Sequence, residues 1–429
     1  MAEPSGPSRA RLRDKMRANP QLMIFVLAAA LLAMAQPMFD SPFNNYLEDT
    51  FRMGEAERGA LETPRETPGL LVALSLGLLA FLPEARVGVV AVGIMAAGMA
   101  GLGFLGSERW AMYLFLIMQS TGMHLFMPIR SSLALALSPE GRKGQRQGQI
   151  GAVSAVAGIA GSLAVLSLWR GAHLTYGQVF IAAGAVAGLG TVVLALLHPA
   201  VGSRTRPRLI VRRRYWLYYM LTVLYGARKQ VFVTFGPWVL IKIYGQRPDV
   251  FAWLYLANFV LAIFINPWVG RLIDRLGERR VLMSEAVVLA LVSAGYGFGD
   301  HLGLGPHVIW LLYGCFVADQ AILAVGMARN TYLDKISELP EHVPSTISVG
   351  MSIDHVFSML AAWAGGEYWH SRGRSGYRGV FIGSMVLAAV LYVSTSLIRV
   401  PPNRGPAVSS AGGPDARPAG PPDSTAGDP

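Results

Sequence analysis

The sequence predicts an all-α polytopic membrane protein, with twelve transmembrane helices laid out as two parallel repeats of six. Three observations carry this. The chain is 53% hydrophobic and only 15% charged, where soluble domains carry roughly 25% charge. A dozen apolar segments follow one another along it, each near the ~20 residues that cross a hydrocarbon core at about 1.5 Å per residue. Sequence blocks of the first half recur in the second, in the same order and at nearly constant offset.

The segments run approximately 21–43, 57–81, 87–106, 110–137, 147–169, 176–198, 215–241, 249–269, 281–299, 306–328, 344–368 and 377–399. Polar stretches weaken the second, at Glu62–Thr67, and the eleventh, at Ser345–Ser352. A basic arm, 1–20, precedes the first span with Arg9, Arg11, Arg13, Lys15 and Arg17. It looks like a signal sequence. However, the apolar run is long, shows no small-x-small cleavage pattern and is followed by more spans, so it reads as an uncleaved first span. The remaining division is a bundle over 21–199, a linker over 200–214, a second bundle over 215–399 and a tail over 400–429. The tail is rich in Pro, Gly, Ala and Ser, has nothing to bury and is expected to be disordered.

Lys and Arg in short loops set orientation. The arm, the loop with Arg142, Lys143 and Arg146, the linker with Arg204, Arg206, Arg208 and Arg212–Arg214, and the loop with Arg271, Arg275, Arg279 and Arg280 share one side. Lys335 falls there too. The alternate loops are poorer, except the last, with Arg372, Arg374 and Arg378. Both termini are therefore expected in the cytoplasm, with the chain multi-pass in a bacterial inner membrane. The net charge of +11 lies in short stretches between apolar segments, not on one face, which argues against nucleic acid. Cys315 is the single cysteine, so an internal disulfide and a paired-cysteine metal site are excluded.

The repeat is read from two ungapped blocks. Trp110-Ala111-Met112-Tyr113 recurs as Trp310-Leu311-Leu312-Tyr313, and at the same offset Met127 meets Met327 and Leu133 meets Leu333. Leu78, Leu82, Glu84, Arg86 and Val87 recur as Leu272, Leu276, Glu278, Arg280 and Val281. Parallel repeats of this kind place a substrate site between the halves near the membrane midplane.

After span eight stands Gly270-Arg271-Leu272-Ile273-Asp274-Arg275-Leu276-Gly277-Glu278-Arg279-Arg280. This resembles the signature loop of the major facilitator superfamily, G-x-L-x-D-R-x-G-x-R-R, with every position filled. The resemblance implies that Gly270, Asp274, Arg275, Gly277, Arg279 and Arg280 form a gate that latches the cytoplasmic helix ends in one access state. Gly270 would allow close helix approach and Gly277 a tight turn. The first-half loop departs from the pattern. It keeps Glu84 and Arg86 but has Ala80 where the acid belongs. Span five has no Gly-Pro pair, so the motif of drug/proton antiporters is missing.

Charges at the centre of a membrane helix cost roughly 2.5–3.5 kcal/mol each, so they need a partner or a task. The candidates for substrate binding or proton coupling are Asp40, Arg65, Glu66, Arg130, Arg228, Lys229, Asp319, Asp354 and His355. Arg58, Glu62, Arg65 and Glu66 are spaced to pair along one helix face. Arg130 lies close enough to an end to snorkel. Asp354 and His355 point about 100° apart and need separate partners, for which Asp319 and Arg329 are candidates. His124 alone reads as a packed residue. Arg228, the deepest cation, is expected to hold an anionic group of a substrate, with Asp40, Asp319 or Asp354 as its partner otherwise. Trp216, Trp238, Trp253 and Trp268 read as an interfacial belt.

No HxxxxD, DxD, HExxH, GxSxG or Walker pattern occurs, so an enzyme is not expected, nor a cofactor or metal. The expected function is secondary active transport of a small solute by alternating access, in a monomer. Carboxylates and histidine favour proton coupling, and the excess of midplane cations favours an organic anion. A lipid or amphiphile flippase and a transporter-like sensor stay open as alternatives.

Overall fold

The computed structural model describes residues 19–139, 143–202, 211–339 and 342–399. The basic arm, most of the linker and the tail lie outside them. Twelve helical stretches follow in order: α1 (Pro20–Phe51), α2 in three pieces, α2a (Glu55–Ala60), α2b (Glu62–Leu70) and α2c (Val72–Leu78), α3 (Glu84–Leu105), α4 (Arg109–Ala136), α5 (Lys143–Leu166), α6 (Tyr176–Ala195), α7 (Trp216–Lys242), α8 (Pro248–Leu276), α9 (Glu278–Phe298), α10 in two pieces, α10a (Val308–Ile322) and α10b (Gly326–Ile336), α11 (His342–Arg372) and α12 (Gly376–Ser396).

Among the described residues nine stretches are long and apolar enough to cross a membrane, the last of them holding both α11 and α12. Outside these nine stand α2, broken and carrying Arg58, Glu62, Arg65 and Glu66, and α7, with Arg228 and Lys229 at its centre. Large apolar side chains such as Phe104, Val192, Leu291 and Val386 are exposed, as a surface solvated by lipid tails permits.

Local chemistry explains the boundaries. Asn19 caps α1, its Oδ1 accepting from the Leu22 amide at 3.1 Å, and Pro20 fits the first helical position. Thr175 and Gln178 form a capping box at the start of α6. α1 runs eight residues past its expected end because the polar residues beyond position 43 face protein rather than lipid. Asn44 and Asn45 are buried, and Glu48 pairs with Lys242 at 2.6 Å. α2 breaks at Leu61 and Leu71, around Pro64 and Pro68, which have no N–H to donate.

The repeat survives in three dimensions. Trp110 and Trp310 are both exposed, as are Met127 and Met327, whereas Leu133 and Leu333 are fully buried. Val87 and Val281 are both buried, and Glu84 and Glu278 each open their helix, α3 and α9.

The two halves meet along a seam joined at one end. We call the side bearing the 270–280 loop the motif side and the opposite one the far side. On the far side Lys242 pairs with Glu48, Arg170 with Asp249 at 2.6 Å, and Asn45 Nδ2 donates to Gln246 O at 2.8 Å. There α2a and α11 cross at glycines. A Cβ on Gly59 would lie 2.3 Å from Ala362 O and 3.0 Å from Gly366 Cα. Mid-seam, His355 Nδ1 meets Glu66 Oε2 at 2.7 Å. The last bond toward the motif side is Ser352 Oγ to Leu70 O, at 3.4 Å. Beyond it, among the described residues, no hydrogen bond or ion pair joins the halves, and Leu74 and Leu78 of α2c are exposed.

Candidate functional site

Mid-seam, a cavity of about 180 Å³ is lined by Asp40, Phe43, Asn44, Arg58 and Arg65 from the first half and Phe232, Tyr255, Phe316 and Gln320, among others, from the second. Helical spacing builds its charged wall. Arg58 and Arg65 lie one turn either side of Glu62 and both bond it, at 2.6 Å and 3.0 Å. Arg58 Nε also donates to Asn44 Oδ1 at 3.0 Å, and its guanidinium lies over the Trp238 ring. Arg58 and Glu62 are thus fully satisfied and buried, while Arg65 keeps some exposure toward the cavity. Asp40 accepts from Gln36 Nε2 at 2.9 Å and forms no ion pair among the described residues. Of the four charges expected to pair along α2, Glu66 departs. It turns across the seam to His355, because α11 packs directly against α2b.

That turn assembles a cluster the sequence did not reveal. His124 of α4 lies edge-on to His355, with ring centroids 4.8 Å apart. Gly69 leaves room for both rings, since a Cβ there would sit 2.4 Å from His355 ring atoms and 2.7 Å from His124 Cδ2. The expectation that His124 is simply packed is corrected to this extent: it is buried, but against a titratable partner from the other half. No spacing rule links positions 66, 124 and 355. Only the packing of α2b, α4 and α11 brings them together.

The adjacent cations of α7 part company, as their 100° separation requires. Lys229 faces the seam and pairs with Asp354 at 2.9 Å, both partly exposed. Arg228 points into the second half, fully buried, between Asp319 at 2.9 Å and Glu285 at 3.0 Å. Arg329 approaches Glu285 at 3.4 Å and stacks on the Tyr225 ring, 3.7 Å from its centroid. Asp354 and His355 therefore find Lys229 and Glu66, not Asp319 and Arg329. Arg228 does not line the seam cavity. Glu285, which completes its cage, sits in a stretch that reads as plain apolar helix. Arg130 is half-buried and donates to Ser154 Oγ at 3.0 Å, tying α4 to α5.

In the signature loop, Gly277 has φ +80°, a backbone that favours glycine, and it turns α8 directly into α9. Asp274, Arg275, Arg279 and Arg280 are exposed, and Asp274 has no ion-pair partner among the described residues. The close approach expected at Gly270 is not made among the described residues: a Cβ there would meet nothing within 4 Å. Glu278 is buried instead and pairs with Lys335 at 2.6 Å, binding α9 to the end of α10b. Trp216, Trp253 and Trp268 are exposed, as an interfacial belt requires, but Trp238 is fully buried beneath Arg58.

Comparison with curated proteins finds no match. Solved structures of similar fold include the nucleoside transporter NupG (TM-score 0.69, 14% identity, 89% of this chain and 99% of that one). They also include an auto-inhibited peptide transporter of the POT family (TM-score 0.70, 12% identity, 91% and 99%). A third is a bacterial homologue of the iron transporter ferroportin in an inward-facing state (TM-score 0.69, 13% identity, 91% and 100%). At these identities the likeness speaks for the fold. The family profile described as Major Facilitator Superfamily matches residues 67–362 and 218–422. With this match over most of its length, the twelve helices in two repeats and the seam cavity between them, the chain belongs to the major facilitator superfamily of membrane transporters.

Proposed function

We propose that the protein is a monomeric, proton-coupled carrier of a small organic anion, working by alternating access in a bacterial inner membrane. In this reading the motif side and both termini face the cytoplasm, and the bonds across the far side support an inward-open state. The observation that carries this reading is the seam cavity, walled by Arg65 and Asp40 from one half and Tyr255 and Gln320 from the other. Arg65 offers the guanidinium that a carboxylate or phosphate is matched by. Asp40, which forms no ion pair among the described residues and accepts only from Gln36, takes the proton-carrying role. At about 180 Å³ the cavity falls below the roughly 300–1,000 Å³ of sites for drug-sized ligands, which suits a small cargo. The exposed Asp274 is a latch not engaged in this state. It closes on the neighbouring half when the motif side shuts.

The test is flux into proteoliposomes, with a panel of labelled carboxylate and phosphate solutes and an imposed pH gradient. Uptake of one class should follow the proton gradient, fall at least tenfold in Arg65→Gln, and lose its pH dependence in Asp40→Asn. Movement of amphiphiles alone would favour a flippase instead. Orientation is tested separately. Reporter fusions at Gly277 and at Gln246 should give opposite signals, the first cytoplasmic; equal signals would overturn the topology.

A further inference from the structure

Two imidazoles and a carboxylate converge where the joined part of the seam ends. Glu66 and His124 come from the first half and His355 from the second, and one donor atom of each lies within 4.8 Å of the others. All three side chains are buried. We propose that they form a binding site for a borderline-soft divalent metal ion of the zinc class, whose occupancy clamps the far side shut.

The donor set is the first argument. Two histidines and one carboxylate suit Zn²⁺, Co²⁺ or a similar ion, whereas Mg²⁺ and Ca²⁺ want oxygen ligands. Spacing is the second. Donors about 2.0–2.2 Å from one ion stand roughly 3–3.5 Å apart. His355 Nδ1 and Glu66 Oε2, at 2.7 Å, are already close to that, with a proton between them that an ion would replace. His124 has to close by about an ångström, a side-chain adjustment.

The orientation of His124 is the third argument. Ser120 Oγ donates its one hydrogen to Arg65 O. The contact from His124 Nδ1 to Ser120 O, at 2.9 Å, is then made by an Nδ1–H donor. This leaves the Nε2 lone pair free and fixes the ring, the support that metal-bound histidines usually have. The cations acting on Glu66 do not compete for it, since Lys229 is held by Asp354 and Arg65 by Glu62. Bare Gly69 makes room for both rings.

Because the ligands come from both halves, the ion binds only while the far side is closed. This part rests on the alternating-access reading; metal binding itself does not, and holds whatever the cargo. The experiment titrates untagged, full-length protein with Co²⁺ and follows visible absorption and stoichiometry, with Mg²⁺ as control. One Co²⁺ per chain should bind with the bands of a four- or five-coordinate site and be displaced by Zn²⁺. Affinity should fall at least tenfold in His124→Phe and in Glu66→Gln, with thermal unfolding reporting that each is folded. His124→Gln serves if the phenylalanine variant is not. Absent binding in the wild type, or equal binding in the variants, overturns the site. Gly59→Val, in which the two backbones cannot close on the far side, should weaken Co²⁺ binding at least tenfold by reciprocity. Undiminished affinity with that side shown open by thiol labelling overturns the clamp and leaves the site.

Discussion

Gly59→Val is expected to abolish transport while both six-helix halves stay folded. The reason is the crossing of α2a and α11. The Cβ of any residue at 59 would lie 2.3 Å from Ala362 O and 3.2 Å from Ala362 C, and Gly366 returns the constraint, its own Cβ position being 2.6 Å from Glu55 O. These are backbone atoms, so no side chain can swing away; the helices themselves must part by about an ångström. Overpacking of this kind costs roughly 1–3 kcal/mol, which shifts a two-state balance about 5–150-fold. The strain exists only with the far side closed, so the variant accumulates in the far-side-open state. Thiol labelling of Val233→Cys, in the wall of the seam cavity, should become fast from the far side, and flux should stop. Gly54→Val is the control, since nothing lies within 4 Å of that Cβ. Normal flux and unchanged labelling in Gly59→Val would mean that this crossing does not form the far-side closure.

Arg228→Gln should instead destabilise the second half. The change leaves Asp319 and Glu285, both buried, facing each other without the charge between them. Removing one member of a buried ion pair costs about 3–5 kcal/mol, which for a bundle of this size lowers Tm by on the order of 10 °C. Adding Asp319→Asn should recover much of the loss, because Glu285 keeps Arg329 at 3.4 Å. Lys229→Gln is expected to cost far less, its pair with Asp354 being partly exposed. Thermal unfolding of the four proteins in one detergent decides it. A stable Arg228→Gln would show that Arg228 is no structural keystone.

Most spans were legible because a bilayer imposes a length and a polarity that hydropathy reads directly, whereas α2 and α7 carry too many charges to stand out that way. The repeat was legible too: identities at constant offset mark positions that packing treats alike, as Leu133 and Leu333 do. What stayed hidden is partnership. Sequence placed Arg228 and Lys229 at the same depth but did not say which faces the seam, since helix rotation is set by neighbours. It offered three acids for Arg228 and passed over Glu285. It read Glu66 as part of a local helix-face ladder, because i,i+4 spacing is visible along the chain and an α11 histidine 289 positions away is not. The end of α1 was missed for the same reason. Asn44 and Asn45 look like the edge of a membrane until the opposite half is seen to cover them.

The way charges are neutralised bears on how the chain enters the membrane during synthesis. Both cations of α2 bring their counter-charge with them, since Glu62 sits within one turn of both Arg58 and Arg65. α7 does not. Arg228 and Lys229 emerge in a helix with no acid of its own, and the carboxylates that neutralise Arg228 are 57 and 91 residues downstream. At roughly 2.5–3.5 kcal/mol per central charge, α7 is a poor solitary insertion substrate. Its stable insertion is therefore expected to require α9 and α10: a chain truncated after α7 should leave that helix uncommitted to the bilayer, and one extended through α10 should commit it, as glycosylation-site mapping would show.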